Sequence, residues 1–129
     1  MFKKTLLPDT FRAIKLISKI TEIKQAYLAG GTALALQLGH RLSVDLDFFT
    51  QKEFNETQLM TKLASLTDFA QDGTTQGTVW GRINRTKFSM FYYKYPLLEE
   101  TVSFEGIQLA SFADIAAMKL HAIEDRGTR

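Results

Sequence analysis

The chain of 129 residues has room for one hydrophobic core and too little length for two ordinary domains, and its 45% hydrophobic and 23% charged residues exclude a disordered segment. A formal charge of only +2 excludes a polycation built to coat nucleic acid, and the lack of cysteine excludes disulfides, thiolate chemistry and sulfur-rich zinc sites while fitting a reducing compartment. No apolar run approaches the roughly 20 residues of a membrane span, and Met1-Phe2-Lys3-Lys4 leads only to a brief Leu6-Leu7 before Pro8, so the cytoplasm is the expected location.

Pro8 and Asp9 suit the first turn of a helix in which Phe11, Ile14 and Ile17 recur at helical spacing, with Arg12, Lys15 and Lys19 elsewhere on the cylinder. Residues 26–29 read as a short apolar strand, Gly30-Gly31 as the tight turn after it, and residues 32–38 as a helix that Gly39 ends. His40 and Arg41 then stand in the turn that delivers a strand over residues 44–49. On that strand Val44, Leu46 and Phe48 alternate with Asp45, Asp47 and Phe49, so both carboxylates project from one face, which Ser43 shares. An active-site strand shows this alternation, and so does a plain amphipathic one.

Residues 55–66 read as a helix with Leu59, Met60, Leu63 and Leu66 on its buried side and Asn55 or Thr57 as its cap. Residues 69–75, which contain Asp72-Gly73, read as a loop. The aromatic and β-branched stretches 77–84 and 87–95 flank Asn84-Arg85-Thr86 and predict an antiparallel hairpin. Its aromatic residues read first as core, and Trp80 or Tyr93 is a secondary candidate for a face on which a base could stack. Residues 101–104 and 107–109 predict a last strand pair around Glu105-Gly106. Ser111-Phe112-Ala113-Asp114 is a capping box with Asp in place of Glu; it opens a helix with Ile115, Met118 and Ala122 on its apolar side, Lys119 flanking them and His121 as a structural residue. The expected fold is α+β, a mixed and largely antiparallel sheet packed with helices.

Two carboxylates on one strand face can share a divalent cation, and magnesium is usually held by one or two carboxylates together with nucleotide phosphates. Glycines before a helix let an anion approach the free backbone N–H groups of its first turn, so a triphosphate tail suits Gly30 and Gly31. A Gly-Gly alone is usually a turn, and an Asp-x-Asp alone is usually a solvated strand face; the pair, one short helix apart, is more specific. Arg41 can bridge carboxylate and phosphate, whereas His40 is a poor ligand for hard magnesium. Residues 1–44 hold seven Lys/Arg against Asp9 and Glu22, and residues 74–95 hold Arg82, Arg85, Lys87 and Lys94 with no acid. These segments either converge on a polyphosphate or RNA backbone or are two solvated faces.

The stretch GGTALALQLGHRLSVDLDFF, residues 30–49, resembles the signature of the AbiEii-type toxin family within the nucleotidyltransferase superfamily: Gly-Gly or Gly-Ser, a short spacer, then Asp-x-Asp. Met118-Lys119-Leu120-His121-Ala122-Ile123, followed by Arg126-Gly127-Thr128-Arg129, resembles that family's later helix with its lysine and basic end. The resemblance implies a single nucleotidyltransferase-like domain over residues 1–129, lacking the family's C-terminal helical region. It implies that Gly30, Gly31 and Thr32 cradle the triphosphate, Asp45 and Asp47 bind Mg2+, Arg41 and Ser43 line the nucleotide site, and Lys119 acts with the aspartates in catalysis. The implied reaction transfers a nucleoside monophosphate from a nucleoside triphosphate to an acceptor such as transfer RNA, in a toxin paired with an antitoxin protein. Two departures stand against this: residues 74–95 lack the third carboxylate of many nucleotidyltransferases, and the sequence stops at Arg129 before the family's further aspartate. They motivate a second reading, a catalytically incomplete relative that binds nucleotide, RNA or a protein partner without turnover. A third is a plain α+β interaction module whose two motifs coincide by chance.

Overall fold

The computed structural model describes residues 7–38 and 45–127. Pro8 opens the first helix, Pro8–Ile17 (α1), whose Ile14 and Ile17 are fully buried, and a short helix, Thr21–Lys24 (α2), leads into the strand Tyr27–Ala29 (β1). The helix Gly30–Leu38 (α3) and the strand Asp45–Thr50 (β2) follow. Asn55 caps the helix Glu56–Leu66 (α4), its side-chain oxygen accepting the Gln58 N–H at 2.9 Å. Leu59 and Leu63 are buried as their spacing predicts, while Leu66 is exposed.

Residues 69–75 form a strand, Phe69–Thr75 (β3), and not the predicted loop. The strand is interrupted where the register slips between Gln71 and Gly73, so Asp72 is the extra residue of a bulge. The polar composition and the Asp-Gly pair hide the strand, but Gly73 is needed there: a Cβ on it would come within 2.2 Å of the Trp80 ring lying across from it. Thr78–Ile83 (β4) and Thr86–Tyr92 (β5) make the predicted hairpin around Asn84, whose φ of 56° lies in the left-handed region that asparagine tolerates. Val102–Phe104 (β6) and Ile107–Leu109 (β7) pair around Glu105 and Gly106, both at positive φ. The last helix, Phe112–Gly127 (α5), starts at Ser111, whose hydroxyl accepts the Asp114 N–H at 3.1 Å. The reciprocal half of the predicted capping box is replaced: the buried Asp114 carboxylate accepts the N–H groups of Leu98 and Glu99 at 2.7 and 3.1 Å and so ties that loop to α5.

All seven strands join one sheet in the order β3-β4-β5-β2-β1-β7-β6. Four of its neighbouring pairs are antiparallel, and the β2–β5 and β1–β7 pairs are parallel. The sheet is therefore mixed and largely antiparallel, as predicted. Along β2 the buried Leu46, Phe48 and Thr50 alternate with the half-buried Asp45, Asp47 and Phe49. Leu46 and Phe48 share their face with Phe88 and Met90 of β5 and with Val79 and Ile83 of β4, all buried in one core. Helix α1 packs on β5 and α4, and α4 on β3 and β4. The opposite face carries Asp45, Asp47, Lys87, Ser89, Trp80 and Arg82. No helix among the described residues is long and apolar enough to cross a membrane.

Candidate active site at the paired-aspartate strand

The last residue of β1, Ala29, is the register partner of Asp47, so the chain leaves the sheet beside that carboxylate and turns at once into α3. Gly30 makes the turn at φ +71°, and a Cβ built on it would stand 2.9 Å from Asp47 Oδ2. Both facts require glycine: the left-handed backbone disfavours any side chain, and the carboxylate occupies the space one would take. Gly31 and Thr32 continue into the first turn of α3, where main-chain N–H groups lack intrahelical acceptors. Thr32 is buried, and its hydroxyl donates to the Asp45 carbonyl, stapling the helix start to the strand. What this turn presents to an anion is therefore its main chain.

Asp47 Oδ1 accepts the Ser89 hydroxyl at 2.7 Å, which leaves Oδ2 on the side of the glycine turn. Burial holds the Asp47 carboxyl above the usual carboxylate range; the Ser89 hydrogen bond opposes this, and the neighbouring Asp45 charge adds to it. Ser89 arrives through the parallel pairing of β5 with β2, which sets Lys87 beside Asp45 and Ser89 beside Asp47.

A groove of about 340 Å³ opens over these residues and continues onto Trp80, Arg82 and Asp72. Arg82 donates to both oxygens of Asp72, at 3.2 and 3.1 Å, so this additional acid at the groove wall is held in an ion pair. Next to Asp47 itself, the neighbouring strand supplies a hydroxyl in place of a third carboxylate. Among the described residues no three His, Cys, Asp or Glu side chains group to hold a metal. Two carboxylates with phosphate and water completing the shell is magnesium chemistry, so the donors present fit that ion better than a metal that needs an all-protein cage.

Of the residues singled out from sequence, Gly30, Gly31, Thr32, Asp45 and Asp47 come together here. Arg41 and Ser43 lie outside the described residues, as do His40, Gly39 and Val44. Lys119 is exposed on α5, two positions before His121, whose ring meets Tyr93 and Tyr95 past the far end of β2, and the groove's walls do not include it. Sequence reasoning missed Ser89 and Asp72. The alternation along β5 places Lys87 and Ser89 on one face, but only the non-local β2–β5 pairing shows that they adjoin the aspartates.

A family profile described as nucleotidyl transferase AbiEii toxin, type IV toxin–antitoxin system, matches residues 13–98. The Aquifex aeolicus protein aq_aa25 is 41% identical over 107 residues, which make up 80% of this chain and 52% of that one. A crystal structure of a candidate nucleotidyltransferase from Helicobacter pylori superposes with a TM-score of 0.58 at 26% identity, covering 86% of this chain and 55% of its own. The candidate nucleotidyltransferase TM1012 of Thermotoga maritima shares the fold with a TM-score of 0.57 at 16% identity, covering 95% of this chain and 91% of that one. The chain thus spans about half the length of the Aquifex and Helicobacter relatives. With the glycine turn, the Asp-x-Asp strand and strands β1 to β5 all inside the matched region, this chain belongs to the AbiEii nucleotidyltransferase toxin family.

Proposed function

We propose that this chain carries the nucleotide site of a metal-dependent nucleotidyltransferase, which moves a nucleoside monophosphate from a nucleoside triphosphate to a hydroxyl of an RNA acceptor such as transfer RNA, in a toxin restrained by an antitoxin protein. One observation carries the reading: the Asp47 carboxylate lies against the glycine turn that starts α3, 2.9 Å from where a Gly30 side chain would begin. The N–H groups of that first turn bind the triphosphate tail, and Asp45 and Asp47 supply the protein's share of a magnesium shell. Bound Mg2+ would neutralise charge on the reacting phosphate. Arg41 and Ser43, just before β2, line the nucleotide site in this reading, and Lys119, exposed on α5, acts with the aspartates in catalysis. The acceptor oxygen bonds to the α-phosphorus, the bond from that phosphorus to the bridging oxygen breaks, pyrophosphate leaves with the electron pair, and the hydroxyl proton passes to solvent.

Ser89 in place of an acid beside Asp47 favours the second reading, a relative that binds without turnover. Incubation with each α-labelled triphosphate, total RNA and magnesium separates the two. Label transfer that Asp45→Asn and Asp47→Asn abolish supports the enzyme, and magnesium-dependent binding without transfer supports the incomplete relative. Triphosphate binding of equal strength with and without magnesium would contradict the role given to the aspartates in both.

A further inference from the structure

A second cavity, about 210 Å³, lies on the same sheet face as Asp47, between β1, the segment 95–98 and α5. Its walls include Tyr27, Tyr93, Tyr95, Asp114, Met118 and His121. Tyr27 is the register partner of Phe49, and their rings stack at 6.0 Å. Phe49 meets Tyr93 edge-on at 5.7 Å, Tyr93 meets Tyr95 at 5.1 Å, and Tyr95 meets the His121 ring at 5.3 Å. The Tyr93 hydroxyl and His121 Nδ1 are hydrogen-bonded at 3.1 Å, and the Asp114 carboxylate is committed to two loop N–H groups and the Ser111 hydroxyl. Tyr27 differs: its residue is 4% exposed, and its phenol oxygen is buried with no hydrogen-bond partner. Burial, then the facing Tyr93 and Asp114, push this phenol up to about 12, so it keeps its proton and its hydroxyl points among the cavity's other walls.

A buried hydroxyl left unpaired is unfavourable, and a ligand bearing an acceptor removes that penalty. Among the described residues the cavity walls hold no lysine or arginine and include one carboxylate, which disfavours a phosphate. Aromatic faces and edges around a space below the roughly 300–1,000 Å³ of drug-sized pockets suit one flat, uncharged ring system. Tyr27 stands two strand positions from the Asp47 register, on the same face, a separation of about 7 Å that a ribose can bridge from a phosphate held at the glycine turn. We infer that this cavity is the nucleobase subsite of the same nucleotide, with the Tyr27 hydroxyl donating to a ring nitrogen or carbonyl of the base. The inference rests on the nucleotidyltransferase reading for what the rest of the ligand is, but not for the cavity's own chemistry.

The test titrates the four free ribonucleosides, without phosphate or metal, into the intact chain while the His121 imidazole is followed by NMR. Magnesium tripolyphosphate is titrated separately. At least one nucleoside should perturb His121 and bind about fivefold or more weakly to Tyr27→Phe, the loss of one hydrogen bond, with tripolyphosphate binding unchanged. Tyr27→Phe keeps the ring and removes only the unpaired hydroxyl, so it folds; Ala117→Phe, which fills the cavity from α5, should abolish nucleoside binding and likewise spare tripolyphosphate. No perturbation of His121 by any nucleoside, or equal affinity for wild type and Tyr27→Phe, overturns the inference. Failure of the wild-type chain to bind magnesium tripolyphosphate would count against the proposed catalytic site and not against this cavity.

Discussion

Gly30→Ala perturbs the turn and the carboxylate at once, and the two effects can be separated. The backbone part follows from φ +71°: a residue with a Cβ in the left-handed region is less stable by about 1–2 kcal/mol. The contact part follows from a methyl placed 2.9 Å from Asp47 Oδ2. Asp47 must turn away, which strains or breaks the 2.7 Å bond from Ser89, worth about 1 kcal/mol more in a half-exposed setting. Urea unfolding should therefore show a loss of about 2–3 kcal/mol through a lower midpoint with an unchanged slope. In an Asp47→Ala background the contact part vanishes and the backbone part stays, so the double-mutant cycle should give a coupling of about 1 kcal/mol. Magnesium-dependent triphosphate binding should weaken by about tenfold or more, because the displaced oxygen is the one facing the turn. A stability change below about 0.5 kcal/mol, with binding intact, would refute the claim that glycine is required there and that Asp47 is set by the turn.

Three further expectations concern charge and capping. The folded Asp47 carboxyl takes up a proton more readily than the unfolded one, so the stability it contributes is present below the unfolded pKa and is lost as pH rises through the raised folded value. Asp47→Asn should thus be at least as stable as wild type in urea melts at pH 7 while losing magnesium-dependent binding; a clear destabilisation would show that burial does not dominate this group. Ser89→Ala removes the hydroxyl that draws the Asp47 pKa down, so a carboxyl NMR titration should find Asp47 titrating at higher pH, and metal-dependent binding should fade at correspondingly higher pH on acidification. Asp114→Ala leaves the Leu98 and Glu99 N–H groups and the Ser111 hydroxyl without their acceptor, and should lower stability by about 2–4 kcal/mol in the same urea assay; a loss under about 1 kcal/mol would show that the loop is held by other contacts.

What could be read from the sequence was whatever depends on neighbours in the chain. The alternation on β2 fixes which residues face the groove, and Asn55 marks the start of α4 because a side-chain cap is a local device. The Asn84 hairpin follows from turn chemistry alone. The third strand was hidden because its pattern is polar and broken by a bulge, and its glycine is explained only by the Trp80 ring across the ladder. Ser89 could be assigned to a strand face but not to a site, since nothing local shows that β5 lies parallel to β2. Asp114 was read as one half of a capping box, although its carboxylate reaches a loop some fifteen residues earlier. The Asp47 carboxylate lies against the Gly30 turn, which disfavours treating the two motifs as coincidental.

The parallel joining of β2 to β5 has a temporal side. Asp47 and Ser89 are 42 residues apart in sequence, and α4, β3 and β4 must be made before they can meet. While the polypeptide is being synthesised, the aspartates have no opposite wall until the fifth strand has emerged and closed this long loop, a late event for a non-local pairing. The wall over the aspartates is therefore complete only after five of the seven strands have been made.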